Sequence, residues 1–337
     1  MIGVASSKKK SLRKNVLCRR SEKPTMSVLT KLDDNILKQF VEKTCETGKE
    51  KLIQEFIKLR MNTQISKQPQ NEFKKNKERN RSKFISLLDE SRVVLKYPDG
   101  SNQDYIHASW VKSGDVKRFI CTQSPTTNTI DDFWRMVWQE KVEVIVMLCS
   151  FEEDGVKKCE KYWDEENELS IIGGKLRVKV KEGGKEVEPG VWLTRIEVVD
   201  DKGEMRGVDH WQWKTWPDRS VPESPMSVFR LINRFQDKSP IIVHSSAGIG
   251  RTGTLVALDI GLKKIKNGEK LSFDTVIREI RTQRLGAVQS DEQYVFIHRA
   301  IIELAMMKKI CVEDCKQFIE AYDDHKWIGE LRKIRGV

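Results

Sequence analysis

Two stretches of the chain show the pattern of buried strands. Residues 142–148 form a continuous apolar run of strand length, which is typical of a central strand covered on both faces of a sheet. Residues 241–243 are three apolar β-formers that lead into a glycine-rich loop, and residues 254–266 then place apolar side chains along one stripe of a helix. The succession of strand, loop and helix predicts an α/β fold.

Other elements follow from the same patterns. The acidic pair 33–34 precedes apolar residues at helical spacing and Gly48 interrupts them, so residues 31–61 are predicted to form two helices. Glycine pairs at 173–174 and 183–184 predict turns between strands. The remaining predicted elements are strands at 91–95, 104–110, 176–181 and 192–199, helices at 132–138 and 294–307, and a charged helical extension at 306–337.

The composition is typical of one soluble intracellular domain. With 337 residues, 38% of them hydrophobic, the chain can bury a full core, and a single domain of about 240–280 residues with end extensions is expected. No run approaches the ~18 apolar residues that span a membrane. The seven cysteines are odd in number and widely spaced, which favours reduced thiols inside the cell.

The net charge of +11 is concentrated at the start of the chain, where residues 1–25 hold eight basic residues and one acidic residue. Residues 1–30 are therefore predicted to be a basic disordered tail. Its basic run, 8–23, suits a weak anionic partner, an anionic membrane face or a nuclear-import signal, but a solvated arm without a dedicated partner is the favoured interpretation. No aromatic interleaving or motif supports a specific nucleic-acid binder. We expect a cytoplasmic protein, with a nuclear location as the alternative that the tail suggests.

A glycine-rich turn and an arginine stand at the start of the helix that follows residues 241–243. Successive backbone N–H groups of such a loop form a concavity that fits a phosphate group, and Arg251 can close it with a planar bidentate fork. The residues of this loop are His244, Ser245, Ser246, Ala247, Gly248, Ile249, Gly250, Arg251, Thr252 and Gly253. The loop resembles the signature loop of the protein tyrosine phosphatases: histidine, cysteine, five residues, arginine, serine or threonine, and glycine. Ser245 departs from that pattern, because it stands at the position of the nucleophilic cysteine.

The departure at Ser245 bears directly on catalysis. A cysteine surrounded by N–H dipoles and a guanidinium ionises at neutral pH because its pKa falls well below about 8.5. A serine hydroxyl does not ionise there and needs a base to remove its proton. His244 is the adjacent residue on a strand, so we expect its side chain to point to the opposite face and to brace the loop through a hydrogen bond. The site is predicted to hold phosphate and to transfer it poorly.

Residues 215–222, Thr-Trp-Pro-Asp-Arg-Ser-Val-Pro, place a carboxylate between two prolines and a tryptophan, on a stiff segment that can swing as a unit. The segment resembles the mobile acid loop of the family, which implies that Asp218 is the general acid for the leaving tyrosine oxygen. Ser220 replaces the usual glycine, and a positive φ at this position would cost on the order of 1 kcal/mol.

Residues 283–294 resemble the family's glutamine loop. The resemblance implies that Gln289 positions the hydrolytic water and that Gln293 supports substrate binding. It also assigns phosphate binding to Ser246, Ala247, Gly248, Ile249, Gly250, Arg251 and Thr252. No cofactor and no metal are expected, because backbone dipoles and Arg251 meet the charge of the phosphate.

The resemblance covers residues 70–305 and implies the phosphatase fold, a large twisted mixed sheet flanked by helices in a single domain over residues 31–305. Three more segments match family blocks: 104–109, with His107 in place of an asparagine; 119–138; and 152–163, a loop that braces the active site.

Two departures lie upstream of these blocks. Ser82 and Phe84 stand where the family has a tyrosine that walls the pocket and an aspartate that grips the substrate backbone. Phe84 replaces the aromatic wall only if the loop shifts by two residues, and loss of the stacked ring costs roughly 0.5–1.5 kcal/mol.

Three functions stay open on the sequence alone. The first, which we favour, is a catalytically inactive or strongly impaired phosphatase domain that still binds phosphotyrosine proteins or peptides. The second is an active tyrosine phosphatase whose cysteine has been exchanged for Ser245 to trap substrate, although a single exchange does not account for Ser82, Phe84, His107 and Ser220. The third is an interaction scaffold that binds no phosphate.

Overall fold

The computed structural model describes residues 31–61 and 68–324. The predicted basic tail 1–30, residues 62–67 and residues 325–337 of the C-terminal extension lie outside the described residues, so the predictions made for them stay predictions. Within the described ranges, no helix combines the length and the apolar character needed to cross a membrane.

The described residues form eleven strands, numbered here along the chain. They are β1 Arg92–Val94, β2 Tyr105–Ser113, β3 Val116–Gln123, β4 Val144–Met147, β5 Glu152–Glu153, β6 Val156–Lys157, β7 Leu169–Ile171, β8 Leu176–Glu188, β9 Val191–Asp200, β10 Met205–Trp213 and β11 Ile241–Ser245. One mixed sheet has the spatial order β1-β2-β3-β11-β4-β10-β9-β8-β7, and β5 pairs with β6 in a separate hairpin. The predicted mixed sheet of an α/β fold is confirmed.

The parallel pairs lie in the middle of the sheet. β11 runs between β3 and β4, so that Val243 pairs with Cys121 on one side and with Val146 on the other. All four residues of β4 are buried, because alternate side chains enter two hydrophobic cores on opposite faces of the sheet. The prediction of a central strand within residues 142–148 is confirmed.

Helices cover both faces of the sheet. They are α1 Asp34–Met61, α2 Asn71–Lys75, α3 Ile130–Gln139, α4 Pro225–Phe235, α5 Gly250–Lys266, α6 Phe273–Arg281, α7 Asp291–Met307 and α8 Val312–Asp323. The apolar side chains of α3 fill the core on one face, and those of α1 and α4 to α8 fill the core on the other. This packing buries the parallel strands on both sides, as parallel sheets require.

The first helix has the predicted start and the predicted break. Asp33 Oδ1 accepts hydrogen bonds from the N–H groups of Asn35 and Ile36 at 2.9 and 3.0 Å, which caps α1. Gly48 has φ 73° and ψ 162° and divides α1 into two helical segments.

The predicted turn at Gly183-Gly184 is wrong. β8 continues through both glycines, and its register against β9 is irregular there, as is common where glycine weakens the interior of a strand. The chain reverses instead at Gly190, with φ 76°. The predicted turn at 173–174 is present, since both glycines have positive φ between β7 and β8.

The described part of the C-terminal extension is helical and joins the core. Lys49 Nζ on α1 donates to the carbonyl oxygen of Ala321 on α8 at 2.8 Å, and Cys315 and Phe318 are buried among the side chains of α1 and α7. The extension therefore packs as part of one domain.

Candidate active site

The signature loop, residues 244–253, runs from the end of β11 into the first turn of α5. Gly248 has φ +67°, and a Cβ on this residue would lie 1.9 Å from the carbonyl oxygen of Thr122. Glycine is needed here because a side chain would meet both a left-handed backbone and the backbone of β3. The loop therefore folds tightly against the end of β3.

A buried arginine holds the signature loop from outside. Arg284 donates to the carbonyl oxygens of Gly248 (Nε, 3.0 Å) and Ala247 (Nη2, 3.1 Å), and the N–H of Ser124 donates to the carbonyl oxygen of Ser246 at 3.0 Å. Since the C=O and N–H of one peptide plane point in opposite directions, these contacts turn three consecutive N–H groups to the other side of the loop. This role of Arg284 was not predicted from the sequence.

His107 supports the same arginine. Arg284 Nη1 donates to His107 Nδ1 at 3.2 Å, and His107 Nε2 donates to the carbonyl oxygen of Ile85 at 2.8 Å. Burial, followed by the charge of Arg284, lowers the pKa of His107 to about 3, so the ring is neutral and can accept at one nitrogen while it donates at the other. The departure at His107 is accommodated in this way.

Ser245 lies at the end of β11 and is 3% exposed. The N–H of Gly248 and the hydroxyl of Thr252 donate to Ser245 Oγ at 3.3 and 3.2 Å. No imidazole or carboxylate within the described part of the chain accepts a hydrogen bond from this hydroxyl. The surroundings stabilise negative charge at this position and supply no base to create it.

His244 points to the opposite side of β11, as predicted. Its Nε2 lies 2.7 Å from Tyr162 Oη, and the same oxygen lies 2.6 Å from His210 Nε2. Burial lowers the pKa of His210 to about 3 and the pKa of His244 well below its usual value. His244 thus braces β11 against Tyr162 in the core and lies away from the Ser245 hydroxyl.

We expect the protein to lose stability as the pH falls below about 6.5. Burial lowers the pKa of His107 and His210 to about 3, that of His298 to about 4 and that of His244 well below its usual value. Below about pH 6.5 these histidines are protonated in the unfolded chain and stay neutral in the folded protein. Each of them therefore lowers the unfolding free energy by up to about 1.4 kcal/mol for every pH unit below that value. Urea unfolding between about pH 7.5 and 5.5 measures the slope. His107→Asn should lower the number of protons taken up on unfolding, which the slope reports, by about one. An unfolding free energy that does not change with pH would contradict the expectation.

Arg251 is 1% exposed at the start of α5. Its Nη1 and Nη2 donate to the two oxygens of Glu153 at 2.7 and 3.1 Å, and Nη1 also donates to the carbonyl oxygen of Trp216 at 2.8 Å. The bidentate pair fixes the plane of the guanidinium and compensates its buried charge. Glu153 belongs to the bracing loop identified in the sequence, but its pairing with Arg251 was not predicted.

Asp218 lies beside this arginine. Its Oδ1 accepts from Arg251 Nη2 at 3.2 Å, and its Oδ2 accepts from Lys158 Nζ at 2.8 Å. Burial raises the pKa of Asp218, but the hydrogen bond from Lys158 and the charge of Arg251 outweigh it and leave the pKa below its ordinary value. The carboxyl is therefore ionised at neutral pH. The structure thus brings Asp218 into contact with Arg251, which belongs to the same loop as Ser245.

Comparison with known proteins assigns this arrangement to a family. Residues 76–303 match the family described as protein-tyrosine phosphatase. The chain belongs to the protein-tyrosine phosphatase family.

Individual relatives agree with the family match. The phosphatase domain is 34% identical over 263 residues to tyrosine-protein phosphatase 69D of Drosophila melanogaster, which covers 74% of this chain and 18% of that protein. It is also 38% identical to the human tyrosine-protein phosphatase non-receptor type 9. That alignment of 251 residues covers 68% of this chain and 42% of the relative. The solved structure of PTPN18 in complex with HER2 phosphopeptides matches with a TM-score of 0.74 at 31% identity over 80% of this chain and 99% of that one. The chain thus spans less than half the length of these two curated relatives.

The two glutamines of this phosphatase domain differ in their contacts. Gln293 Oε1 accepts from the N–H groups of Gln289 and Ser290 at 2.9 and 3.3 Å, and Ser290 Oγ accepts from the N–H of Gln293 at 3.2 Å. The two reciprocal bonds between Ser290 and Gln293 form a capping box at the start of α7. A Cβ on Gly250 would lie 3.0 Å from both Gln289 Oε1 and Gln293 Nε2. The glycine therefore lets both amide groups approach the signature loop, and Gln293 is also held by structural bonds.

The acid loop of this phosphatase domain, residues 215–222, is tied to α7. Ser220 Oγ donates to the buried carboxylate of Glu292, and Ser290 Oγ donates to the carbonyl oxygen of Arg219 at 3.2 Å. The positive φ lies at Arg219, 57°, and Ser220 is not among the residues with positive φ, so the strain considered for Ser220 is absent. Instead of straining the loop, the serine adds a hydrogen bond that a glycine cannot make.

We expect Ser220→Ala to loosen the acid loop. A hydrogen bond to a charged group contributes about 1.5–3 kcal/mol, so loop amides should exchange their hydrogens roughly tenfold or more faster in the variant. Hydrogen exchange of residues 215–222 measures the effect without any ligand. Ser220→Thr keeps the hydroxyl and should stay close to the unmodified protein, and equal exchange in Ser220→Ala would rule out the contribution of this bond.

The mouth of the pocket lacks an aromatic wall from Ser82 or Phe84. The N–H of Arg81 donates to Gln123 Oε1 at 2.9 Å, which anchors this segment at the end of β3. Phe84 is 83% exposed, and its ring lies 5.1 Å from Lys83 Nζ. The side chain extends into solvent, so the two-residue shift that would turn it into a wall is not present.

Proposed function

We propose that this chain is a phosphotyrosine-binding phosphatase domain with little or no hydrolytic activity. The observation that carries the proposal is the setting of Ser245, whose hydroxyl receives two hydrogen bonds and has no base beside it. A hydroxyl in this position leaves room and positive potential for a phosphoryl group but does not provide a thiolate.

In this proposal, all the groups needed to bind a phosphoryl group are present. The phosphoryl oxygens are held by the N–H groups of the signature loop and by Arg251, with Thr252 and the start of α5 adding positive potential. Lys158 and Arg251 already share the Asp218 carboxylate, so a dianion competes with Asp218 for both cations. The likeness to PTPN18, whose solved structure holds HER2 phosphopeptides, supports a phosphotyrosine peptide as the ligand.

Of the groups needed for hydrolysis, the nucleophilic thiolate is the one that this proposal lacks. Asp218 takes the place of the general acid and Gln289 that of the residue that positions water. Because the pKa of Asp218 is lowered by Lys158 and Arg251 against the effect of burial, its carboxyl is seldom protonated at neutral pH and is a weak proton donor. We also propose an intracellular location, since the six cysteines that the structure describes are free thiols.

One observation favours the phosphate-independent scaffold as a second candidate. Glu153 binds Arg251 bidentately, which gives the arginine a structural role that does not depend on any ligand. The retention of Arg251 is therefore compatible with both functions.

Calorimetric titration with a phosphotyrosine peptide and with its unphosphorylated form tests the proposal. The double variant Arg251→Met with Glu153→Gln removes the guanidinium of Arg251 without leaving the carboxylate of Glu153 buried and unpaired. Circular dichroism verifies that the double variant is folded. We expect the phosphorylated peptide alone to bind, and to bind at least about tenfold more weakly to the double variant. Equal binding of both peptides, or binding of neither, would favour the scaffold.

A further inference from the structure

A second cavity lies between α1, α6 and α7, and none of its lining residues belongs to the signature loop. Its volume of about 370 Å³ is at the lower end of the range for small-molecule sites. Its lining includes four buried apolar side chains: Phe40, Leu52, Leu271 and Phe273.

Two deeply buried polar groups line the same cavity. His298 is 5% exposed, and its Nδ1 donates to the carbonyl oxygen of Tyr294 at 3.0 Å, which leaves Nε2 as a lone-pair acceptor. Thr44 is 3% exposed. Neither Nε2 of His298 nor the hydroxyl of Thr44 has a hydrogen-bond partner within the described ranges. Both side chains line the cavity, so an occupant that supplies a donor can form a hydrogen bond with each of them.

Two aromatic side chains hold the imidazole ring of His298 in place. Phe40 stacks on it with 5.5 Å between ring centroids and 22° between planes, and Phe273 meets it edge-on at 5.4 Å. Burial lowers the pKa of His298 to about 4, so the imidazole is neutral at physiological pH. An aromatic occupant would meet apolar rings on the same wall.

The charges at the rim indicate the sign of the occupant. Arg278 is paired with Asp274 through hydrogen bonds of 2.8 and 2.9 Å, and Glu55 accepts from Tyr294 Oη at 3.2 Å. Lys43 and Lys58 also line the cavity, and neither forms an ion pair with a described residue. Glu55 keeps its negative charge, because its partner Tyr294 is neutral. The lining therefore holds three cations, Lys43, Lys58 and Arg278, against the two carboxylates of Glu55 and Asp274, and this excess of one positive charge favours an anion.

We propose that this cavity binds a small aromatic carboxylate that carries a ring hydroxyl. The hydroxyl donates to His298 Nε2 next to Thr44, the ring packs against Phe40 and Phe273, and the carboxylate lies between the rim lysines. The inference is independent of phosphotyrosine binding, because the two sites share no lining residue.

Titration of the full chain with 4-hydroxyphenylacetate, followed by ¹H–¹⁵N NMR, tests the proposal. We expect saturable shifts centred on α1, α6 and α7, with a dissociation constant on the order of 1 mM or below. Phenylacetate, which lacks the hydroxyl, and 4-hydroxyphenylethanol, which lacks the carboxylate, should each bind about fivefold more weakly.

Thr44→Val and Lys58→Gln serve as variants, since each keeps the size of its side chain, and an unchanged spectrum elsewhere verifies the fold. Each variant should weaken 4-hydroxyphenylacetate about two- to fivefold. The absence of saturable shifts, equal affinity for the three probes, or displacement of the probe by inorganic phosphate would overturn the proposal. A negative result for this cavity does not change the result expected from the phosphopeptide titration, so each proposal can be refuted without the other.

Discussion

Ser245→Cys should give the domain phosphatase activity at least about a hundredfold above that of the unmodified chain. The N–H of Gly248, the hydroxyl of Thr252 and the start of α5 all surround the position of the sulfur, and these groups would stabilise a thiolate. Hydrolysis of 4-nitrophenyl phosphate is the measurement, because its leaving group departs without a proton from Asp218. Ser245→Ala is the matched control and should remain inactive.

The same variant should discriminate between leaving groups. A phosphotyrosine peptide needs a proton at the leaving oxygen, and the pKa of Asp218 is held down by Lys158 and Arg251 despite burial. Turnover of the peptide should therefore fall as the pH rises from about 5 to 8, more steeply than turnover of 4-nitrophenyl phosphate. A silent Ser245→Cys variant that still binds phosphate would contradict the expectation. Comparable turnover by the unmodified chain would refute the proposed function itself.

Gly248→Ala should cost more than about 3 kcal/mol of unfolding free energy or prevent folding. Alanine in the left-handed region costs roughly 1–2 kcal/mol, and the new Cβ would also lie 1.9 Å from the Thr122 carbonyl oxygen and 2.8 Å from the Gln123 nitrogen. These are backbone atoms of β3, and the sheet prevents them from moving aside. Urea unfolding of the purified variant measures the loss.

Gly100→Ala is the matched control for the backbone conformation. Gly100 has φ +78°, and a Cβ there would meet nothing within 4 Å, so this variant should lose only about 1 kcal/mol. Equal losses at Gly100 and Gly248 would mean that the contact with β3 contributes nothing.

The parts of this molecule that could be predicted from sequence are those with a local signature. The apolar run at 142–148 indicates a strand buried on both faces, and β4 has that burial. The signature loop could be predicted because glycines and an arginine follow each other within a few residues, and the acid loop because Trp216, Pro217 and Asp218 are adjacent.

The contacts that hold these loops could not be predicted in the same way. Arg251 pairs with Glu153, 98 positions away, and Arg284 reaches His107 across 177 positions. Neither pairing leaves a periodic trace in the sequence, since only the tertiary fold brings the partners together. α4 and α6 were not predicted, although their apolar residues recur at helical spacing and would have indicated both helices.

Ser220 shows the limit of reasoning from a replaced residue. The exchange of glycine for serine suggests strain, but the positive φ belongs to the preceding Arg219, and the hydroxyl binds Glu292 on α7. Whether a glycine is replaced at a cost depends on the φ of that residue and on its neighbours, and neither can be read from composition.

The bond between Lys49 and the Ala321 carbonyl oxygen closes the chain on itself, and this has a practical consequence for shortened forms of the protein. α1 and α8 lie outside residues 70–305, yet Phe56 and Phe318 are each at most 4% exposed. A truncated version restricted to residues 70–305 would expose the apolar surface that both helices cover on α7, and exposed patches of that kind promote aggregation. Recombinant expression of residues 70–305 alone should therefore yield insoluble material, whereas residues 31–324 retain both covering helices.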